Sequence, residues 1–262
     1  MNTLPAVLAY HKVGTPEMGG TWCTRGQLRA QLAALAAGGW TFVDGAAFER
    51  RVDAGASPSE REVLLTFDDA FSSFAEHAWP ELERAGARAM VFVVSDFVGR
   101  RSSWDWPLPG RRVPHLDWAE LRTLAASGVT IGAHSATHRD LRRLRDHELE
   151  IELRGARTRL EDELGVAVES VAYPFGRSDA RVQQATRAAG YRLGFSMCPA
   201  PGTANRWALR RHGVYVIDSP RTVLDKVDAA RRGHAWQDRS ERAINACAAL
   251  VSGTVGARAP TE

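Results

Sequence analysis

The sequence predicts a barrel-like α/β domain of roughly seven or eight strand–helix units, on three observations. Short apolar or β-branched runs alternate with helical patterns along the chain, as in parallel βα units. The run Ala89–Val94 (AMVFVV) is wholly apolar, as expected of a strand covered on both faces. No GxGxxG follows the first strand, which weighs against the competing architecture, a doubly wound open sheet. The barrel is therefore favoured.

The N-terminal half contains four predicted strands, which are short apolar runs bounded by turn residues: Ala6–Tyr10, Trp40–Val43, Glu62–Thr66 and Ala89–Val94. A helix is predicted over Arg25–Ala37, ending at the pair Gly38-Gly39, and another over Glu76–Ala85, ending at Gly86. The segment Ser95–Pro114 is rich in Pro, Gly, Arg and Trp, so it is predicted to be a loop over one end of the sheet.

The C-terminal half continues the pattern, and capping residues mark its helices. Asp117 and Glu120 have the spacing of a capping box and begin a helix that runs to Ser127, and the longest helix is predicted over Asp146–Leu164. The other predicted strands are Thr130–Ala133, Val171–Tyr173, Leu193–Met197 and Val214–Ile217, and the other helices are Ser178–Ala189, Thr222–Arg231 and Arg239–Leu250. Since no linker or repeat divides the chain, residues 1–252 are expected to form a single domain and 253–262 a frayed tail.

The composition excludes several classes of protein. The chain has 262 residues, of which 44% are apolar and 25% charged, which rules out collagen, coiled coil and a wholly disordered chain. No apolar run approaches the ~20 residues that a membrane-spanning helix requires. The 34 basic residues are scattered among 31 acidic ones, so nucleic-acid binding is not indicated. The cysteines Cys23, Cys198 and Cys247 form no CxxC pair, which argues against a disulfide framework or a structural zinc site.

The N-terminus gives an expectation about location. Its apolar run, Ala6–Tyr10, is short and has no basic segment before it, so the features of a secretory signal peptide are missing. The sequence therefore predicts a cytoplasmic protein.

Two adjacent carboxylates, Asp68 and Asp69, lie at the end of the apolar strand predicted over Glu62–Thr66. In a parallel barrel, polar residues just past the C-terminal ends of strands are the catalytic candidates. Because neighbouring residues on an extended chain point in opposite directions, the two carboxylates can take different roles in one site. The alternative is a turn or helix N-cap, where Asp is common.

Two histidines, His134 and His138, follow the predicted strand Thr130–Ala133. Imidazoles at this spacing can share a metal if the chain turns between them, and neutral imidazole suits Zn²⁺, Co²⁺, Ni²⁺ and Fe²⁺ alike. Taken alone, the pair is a weak signal, and two surface histidines are the simpler interpretation. With one carboxylate it completes a three-ligand site with an open position for water, as in hydrolytic metal centres, and the second carboxylate is left as a general base.

The segments TFDDA (Thr66–Ala70) and HSATH (His134–His138) resemble the first two motifs of the polysaccharide deacetylases, carbohydrate esterase family four. The agreement in strand order extends from about Leu4 to Ile217. The resemblance implies an irregular (β/α)7 barrel and metal-dependent de-N-acetylation of chitin oligomers, peptidoglycan or related amino sugars. This sequence differs from the family at one position of the first motif, where Ala70 replaces the usual Gly.

Carried over to this chain, the resemblance implies that Asp69, His134 and His138 bind the metal and that Asp68 is the base. The implied cofactor is a divalent metal, with Zn²⁺ first and Co²⁺, Ni²⁺, Fe²⁺ or Mn²⁺ as alternatives. The implied partner is an N-acetylated carbohydrate substrate.

The segment Val171–Gly176 (VAYPFG) is similar to the third motif of the family. The resemblance implies that Tyr173, Pro174 and Phe175 border the substrate, and that the Phe175 N–H stabilises the oxyanion. In the family this motif often begins with an Arg that orients the base, but Ala172 stands there in this chain. Arg211 is the cation expected to take that role.

The general acid is the second point at which this sequence differs from the usual motifs of the family. The late Leu-x-His motif of the family is not evident, whereas Leu8–Val13 (LAYHKV) resembles the N-terminal YHxV segment of a subgroup that deacetylates adhesive poly-N-acetylglucosamine. The resemblance implies that His11 is the acid. The remaining candidates, His77, His115 and His212, are interpreted as surface or structural histidines.

Two questions stay open at this stage. Trp104 and Trp106 could stack on a sugar face, or they could hold their loop against the barrel. The activity could be sugar N-deacetylation or hydrolysis of a small acyclic or cyclic amide. The chain could also be a catalytically silent carbohydrate-binding relative, although the complete set of four metal and base residues weighs against this.

Overall fold

The structure is a computed structural model that describes residues 4–17, 20–55, 61–102, 114–197 and 205–232. Its strands are β1 Ala6–Tyr10, β2 Lys12–Val13, β3 Trp22–Cys23, β4 Thr41–Val43, β5 Glu62–Phe67, β6 Ala89–Val93, β7 Thr130–Ala133, β8 Ser170–Ala172, β9 Leu193–Ser196, β10 Leu209–Arg210 and β11 His212–Gly213. Its α-helices are α1 Arg25–Ala37, α2 Gly45–Asp53, α3 Trp79–Arg84, α4 Trp118–Ala126, α5 Asp146–Glu150, α6 Ala156–Leu164, α7 Ala180–Ala188 and α8 Pro220–Arg232. Two π-helical turns precede α3 and α6, Phe74–Ala78 and Ile151–Gly155.

The main sheet is parallel and nearly closed. Its strand order is β10-β9-β8-β7-β6-β5-β1-β11, with β4 also paired to β5. In the β1–β5 pair, for example, Leu8 lies opposite Leu65. The two ends of the order, β10 and β11, follow each other along the chain with Arg211 alone between them. One short segment therefore pairs first with β9 and then with β1, and the sheet curls into a barrel. The predicted α/β barrel is confirmed.

The core has an inner and an outer layer, because successive side chains of each strand point to opposite faces. On β6, Val91 belongs to the larger cluster between strands and helices and Phe92 to the smaller cluster inside the barrel. Phe48 of α2 enters the inner cluster, with its ring centroid 5.6 Å from that of Phe195. The amide of Gly45, where α2 begins, donates to Thr130 at the start of β7 (3.3 Å). Helix α2, which the sequence analysis missed, therefore closes the end of the barrel at which the strands begin.

Other predicted elements need correction. The strand predicted over Val214–Ile217 is wrong: the chain pairs earlier, through β10 and β11, and Ile217 is 77% exposed. Only the Val214 amide continues the ladder, by donating to Ala9 O at 2.9 Å. The long helix predicted over Asp146–Leu164 is confirmed over its whole length, and it contains the π-helical turn between α5 and α6. The predicted helix Arg239–Leu250 and the tail 253–262 lie outside the described residues.

No helix in the described part of the chain combines the length and the apolarity needed to cross a membrane.

The Glu81 carboxylate joins α1 to α3. It is 1% exposed and accepts hydrogen bonds from Arg25 and Arg29 of α1 (2.9 Å from Arg29 Nε) and from Arg84 of α3. These bonds, with that from Arg29 the strongest, hold the pKa of Glu81 well below its usual range. The stability they add is fully present above the pKa of an unfolded glutamate, about 4.3, and is lost as the pH falls toward the native value.

We therefore expect Glu81→Gln to lower the Tm by several degrees at pH 7, with a difference that shrinks below about pH 4. Thermal unfolding of both proteins between pH 7 and pH 3 measures this. A difference in Tm that does not change with pH would show that the charge of Glu81 is not what holds the two helices.

Candidate active site

The C-terminal ends of four strands bring the sequence-predicted polar residues together at one end of the barrel. His11 follows β1, Asp68 and Asp69 follow β5, His134 follows β7 and Phe175 follows β8 by a short turn. Parallel strands that are neighbours in a barrel end at the same rim, which is why segments far apart in sequence meet here.

Asp69, His134 and His138 form a candidate metal site. One ligand atom from each side chain lies within 4.8 Å of the others. Asp69 Oδ1 is 3.7 Å from His134 Nε2 and 3.4 Å from His138 Nε2, and the three side chains are between 2% and 8% exposed. One carboxylate oxygen and two imidazole nitrogens are a donor set that Zn²⁺ and similar divalent ions accept, so these residues fit such a metal.

The protonation of the two histidines suits metal binding. His134 Nδ1 lies 2.8 Å from the carbonyl oxygen of Ala172, so Nδ1 is assigned the proton and Nε2 keeps its lone pair for the cluster. Burial, opposed in part by the charge of Asp68, lowers the pKa of His134 to about 4. Burial, together with the nearby His134, also lowers the pKa of His138. Both rings are therefore neutral near pH 7, the form that coordinates a cation.

The backbone around the cluster is strained. Within the described ranges, five non-glycine residues have positive φ angles, all of them in the loops of this site: Asp69 (68°), Ala70 (53°), Ser135 (64°), His138 (61°) and Phe175 (59°). Such left-handed conformations typically destabilise by about 1–3 kcal/mol each and persist only where the surroundings fix them. At Ala70, where the family usually has Gly, the chain keeps the conformation that Gly adopts most easily.

Arg211 holds the Asp68 carboxylate through two hydrogen bonds. The guanidinium donates from Nη1 to Asp68 Oδ1 at 2.6 Å and from Nη2 to Oδ2 at 2.8 Å, and Nη1 is also 3.1 Å from Thr66 Oγ1. Both side chains are buried, at 3% and 0% exposure. Burial alone raises the pKa of Asp68, but the charge of Arg211, followed by those of His134 and His11, outweighs it and holds the pKa well below its usual range. Asp68 is thus an oriented, ionised carboxylate.

His11 lies on the side of Asp68 that faces outward. Its Nε2 is 3.8 Å from Asp68 Oδ2, and its side chain is 25% exposed, far more than that of Asp68. Burial lowers the pKa of His11, while the charges of Asp68 and Glu17 oppose the shift. An imidazole at the open edge of the site can exchange a proton with a bound substrate.

The third-motif residues divide into two groups. The Phe175 ring is partly exposed and lies edge-on to His138, with ring centroids 4.9 Å apart, next to the buried Pro174. Tyr173, in contrast, is fully buried in the outer core layer, and its hydroxyl donates to Trp207 O at 2.7 Å. The expectation that Tyr173 borders the substrate is therefore corrected, because the alternation along β8 turns its side chain toward the helices. Trp104 and Trp106 lie outside the described residues.

The polysaccharide deacetylase family model matches residues 55–194, more than half of the chain, including the motifs that carry Asp68, Asp69, His134 and His138. The chain belongs to this family. Members use a divalent metal, for which the cluster described above is the candidate site.

Individual relatives agree with the family assignment. YxkH of Bacillus subtilis strain 168, whose name places it among the polysaccharide deacetylases, is 26% identical over 149 residues, which are 57% of this chain and 48% of YxkH. The matched stretch thus spans about half of that relative. Streptococcus pyogenes deacetylase PplD, solved with acetate, superimposes with a TM-score of 0.74 at 20% identity, covering 87% of this chain and 99% of PplD. IcaB from Ammonifex degensii gives 0.71 at 23% identity, covering 88% and 98%. At these identities the two structures establish the shared fold.

Outside the family motifs, the structure brings one of the remaining histidines to the site. His115 is 4% exposed, and its Nδ1 lies 2.7 Å from the carbonyl oxygen of Asp69, which like His138 has a left-handed backbone conformation. The sequence analysis interpreted His115 as surface or structural; it is buried against a metal-site loop. No local signal marks it, because 46 residues separate it from Asp69. His212 is buried in β11, and His77 is half-exposed and packs against Gly14.

Proposed function

We propose that this protein is a metal-dependent N-deacetylase that releases acetate from an N-acetylated amino sugar, oligosaccharide or glycoconjugate. The observation that carries the proposal is one juxtaposition. The cluster of Asp69, His134 and His138 lies beside a buried carboxylate, Asp68, that Arg211 holds in a fixed orientation. A cation site next to an oriented base, open to solvent at His11, is suited to hydrolysis of an amide bond.

Each residue has a distinct role in this proposal. Asp69, His134 and His138 would hold a divalent metal, which when bound would supply the Lewis acidity that polarises the acetamide carbonyl and activates water. Asp68 takes the proton of the attacking water, and Arg211 keeps the Asp68 carboxylate oriented. The Phe175 N–H stabilises the oxyanion, a type of contact typically worth about 3 kcal/mol of barrier. Protonated His11 donates to the departing nitrogen, so that the products are acetate and a free amine.

Two alternatives differ in substrate or in activity. A small non-sugar amide would use the same residues, so only substrate testing separates it from an amino sugar. The missing motif Arg and the displaced general acid favour the other alternative, a silent carbohydrate-binding relative. The bidentate contact of Arg211 with Asp68 supplies a cation at the base and counts against that alternative.

The proposal is tested by acetate release from metal-stripped protein, with and without added Zn²⁺ or Co²⁺. The substrates are N-acetylated monosaccharides, nucleotide-linked sugars and short β-linked oligomers. We expect acetate only when metal is present, and none from His138→Ala, which lacks one of the three donors. If wild-type protein binds the metal but releases no acetate, a non-sugar amide becomes the better proposal. If it binds no metal, the silent relative is favoured.

A further inference from the structure

In the π-helical turn between α5 and α6, two neighbouring side chains have the opposite burial to what their polarity favours. Ile151 is 62% exposed, whereas the carboxylate of Glu152, next to it, belongs to a residue only 2% exposed. Both lie in the turn Ile151–Gly155, and turns of this kind occur often at functional sites. A buried carboxylate is unfavourable unless its oxygens receive hydrogen bonds, so the contacts of Glu152 explain why it points inward.

Glu152 binds the loop that carries the two metal-site histidines. Its Oε2 accepts from the backbone amides of Ala136 (3.0 Å) and Thr137 (2.9 Å), and its Oε1 accepts from the Thr137 hydroxyl. All three donors lie between His134 and His138. One carboxylate thus accepts hydrogen bonds from two consecutive backbone N–H groups. These groups are buried or nearly buried, and without Glu152 they would lack this acceptor.

The loop needs such an anchor because its backbone is strained on both sides of the anchored residues. Ser135 precedes them with φ 64°, and His138 follows with φ 61°. The His138 amide donates to Ser135 Oγ at 3.0 Å, and the Asp96 amide donates to the carbonyl of Ala136, also at 3.0 Å. The left-handed residue at His138 sets the direction in which its imidazole leaves the chain. A change in the preceding turn therefore moves Nε2 relative to Asp69.

We propose that Glu152 is a positioning residue of the metal site: by binding the Ala136–Thr137 turn it fixes the backbone from which His138 reaches the cluster. The inference rests on the metal site of the proposed function. Glu152 is expected to affect metal affinity directly and turnover only through metal affinity, because its side chain contacts the loop and not a ligand atom.

The test compares Zn²⁺ dissociation constants of folded variants, measured by competition with a chelator. Glu152→Leu removes every acceptor, and we expect its Zn²⁺ affinity to fall by about 10- to 100-fold, the range typical of residues that support ligands. Glu152→Gln keeps the shape: its amide oxygen can accept from both N–H groups, and its amide nitrogen can donate to the Thr137 hydroxyl oxygen. We expect affinity within about threefold of wild type for this variant.

Two further variants keep the test decisive. If Glu152→Leu does not fold, Glu152→Asp withdraws the carboxylate from the loop while retaining the charge, and we expect an intermediate loss of affinity. Glu81→Gln is the matched control, since Glu81 is another buried carboxylate but its partners lie on α1 and α3. It is expected to lower the Tm and leave the Zn²⁺ affinity unchanged. Excess Zn²⁺ should restore much of the turnover of Glu152→Leu.

The outcomes separate this inference from the function on which it rests. Wild-type affinity in folded Glu152→Leu, or in folded Glu152→Asp where Leu does not fold, would overturn the positioning role while leaving the deacetylase proposal intact. An equal loss in Glu152→Gln and Glu152→Leu would also overturn it, because the charge and not the geometry would then matter. A wild-type protein that binds no Zn²⁺ would overturn both.

Discussion

Asp68→Asn is expected to lower the turnover number for acetate release by about 10²- to 10⁴-fold, the range typical of loss of a general base, with the metal still bound. The carboxamide keeps the shape of the side chain but cannot take up the proton of water. Asp68 is not one of the three donor residues of the cluster, so metal content is expected to stay at the wild-type level. Both quantities are measured on the same preparation, by acetate assay and by elemental analysis.

The control for this variant is Asp218→Asn. Asp218 is also buried, at 4% exposed, and also carries an ion pair, with Lys226 Nζ 2.6 Å from its Oδ2, but it takes no part in the metal cluster. We expect this control to lose stability and keep its turnover. If Asp68→Asn retains wild-type turnover at unchanged metal content, Asp68 is not the base and the assignment of roles in the site fails.

The fold could be predicted where a local pattern decides it. The wholly apolar run of β6 indicated burial on both faces, and the structure shows Val91 in the outer layer and Phe92 inside the barrel. The C-terminal strands could not be placed in this way. Val214–Ile217 has the composition of a strand, but the sheet closes through the two-residue strands β10 and β11, which are too short to give a periodic signal.

The candidate site also contains residues that a local sequence pattern predicts and residues that only tertiary contacts reveal. Asp69, His134 and His138 stand at strand ends with motif spacing, so their convergence could be expected from sequence. The contacts of His115 with the Asp69 carbonyl and of Glu152 with the Ala136–Thr137 turn are tertiary, and no pattern predicts them. For Glu152 one sequence feature is informative in retrospect. Glu152 stands three residues after Leu149 and directly before Leu153, both of them buried, so the helical repeat places Glu152 on the buried face and Ile151 outside it.

Arg211→Met is expected to lower the free energy of unfolding by about 3–5 kcal/mol, the usual effect of removing one partner of a buried ion pair. Methionine fills similar space but leaves the Asp68 carboxylate, itself 3% exposed, without its bidentate donor. Urea unfolding at pH 7 measures the loss. A decrease below about 1 kcal/mol would show that the pair contributes no more than a surface ion pair does.

The double variant Arg211→Met/Asp68→Asn distinguishes an effect of charge on stability from an effect of packing. If the loss in Arg211→Met arises from an uncompensated buried charge, replacing the carboxylate with a neutral amide is expected to recover most of it, whereas a packing defect would persist in the double variant. Arg211→Lys supplies a charge without the bidentate geometry, so its free energy of unfolding is expected to lie between those of wild type and Arg211→Met. The backbone of Arg211 joins β10 to β11, where the two ends of the sheet meet, while its side chain orients the proposed base, so one residue stands both at the closure of the barrel and in the candidate site.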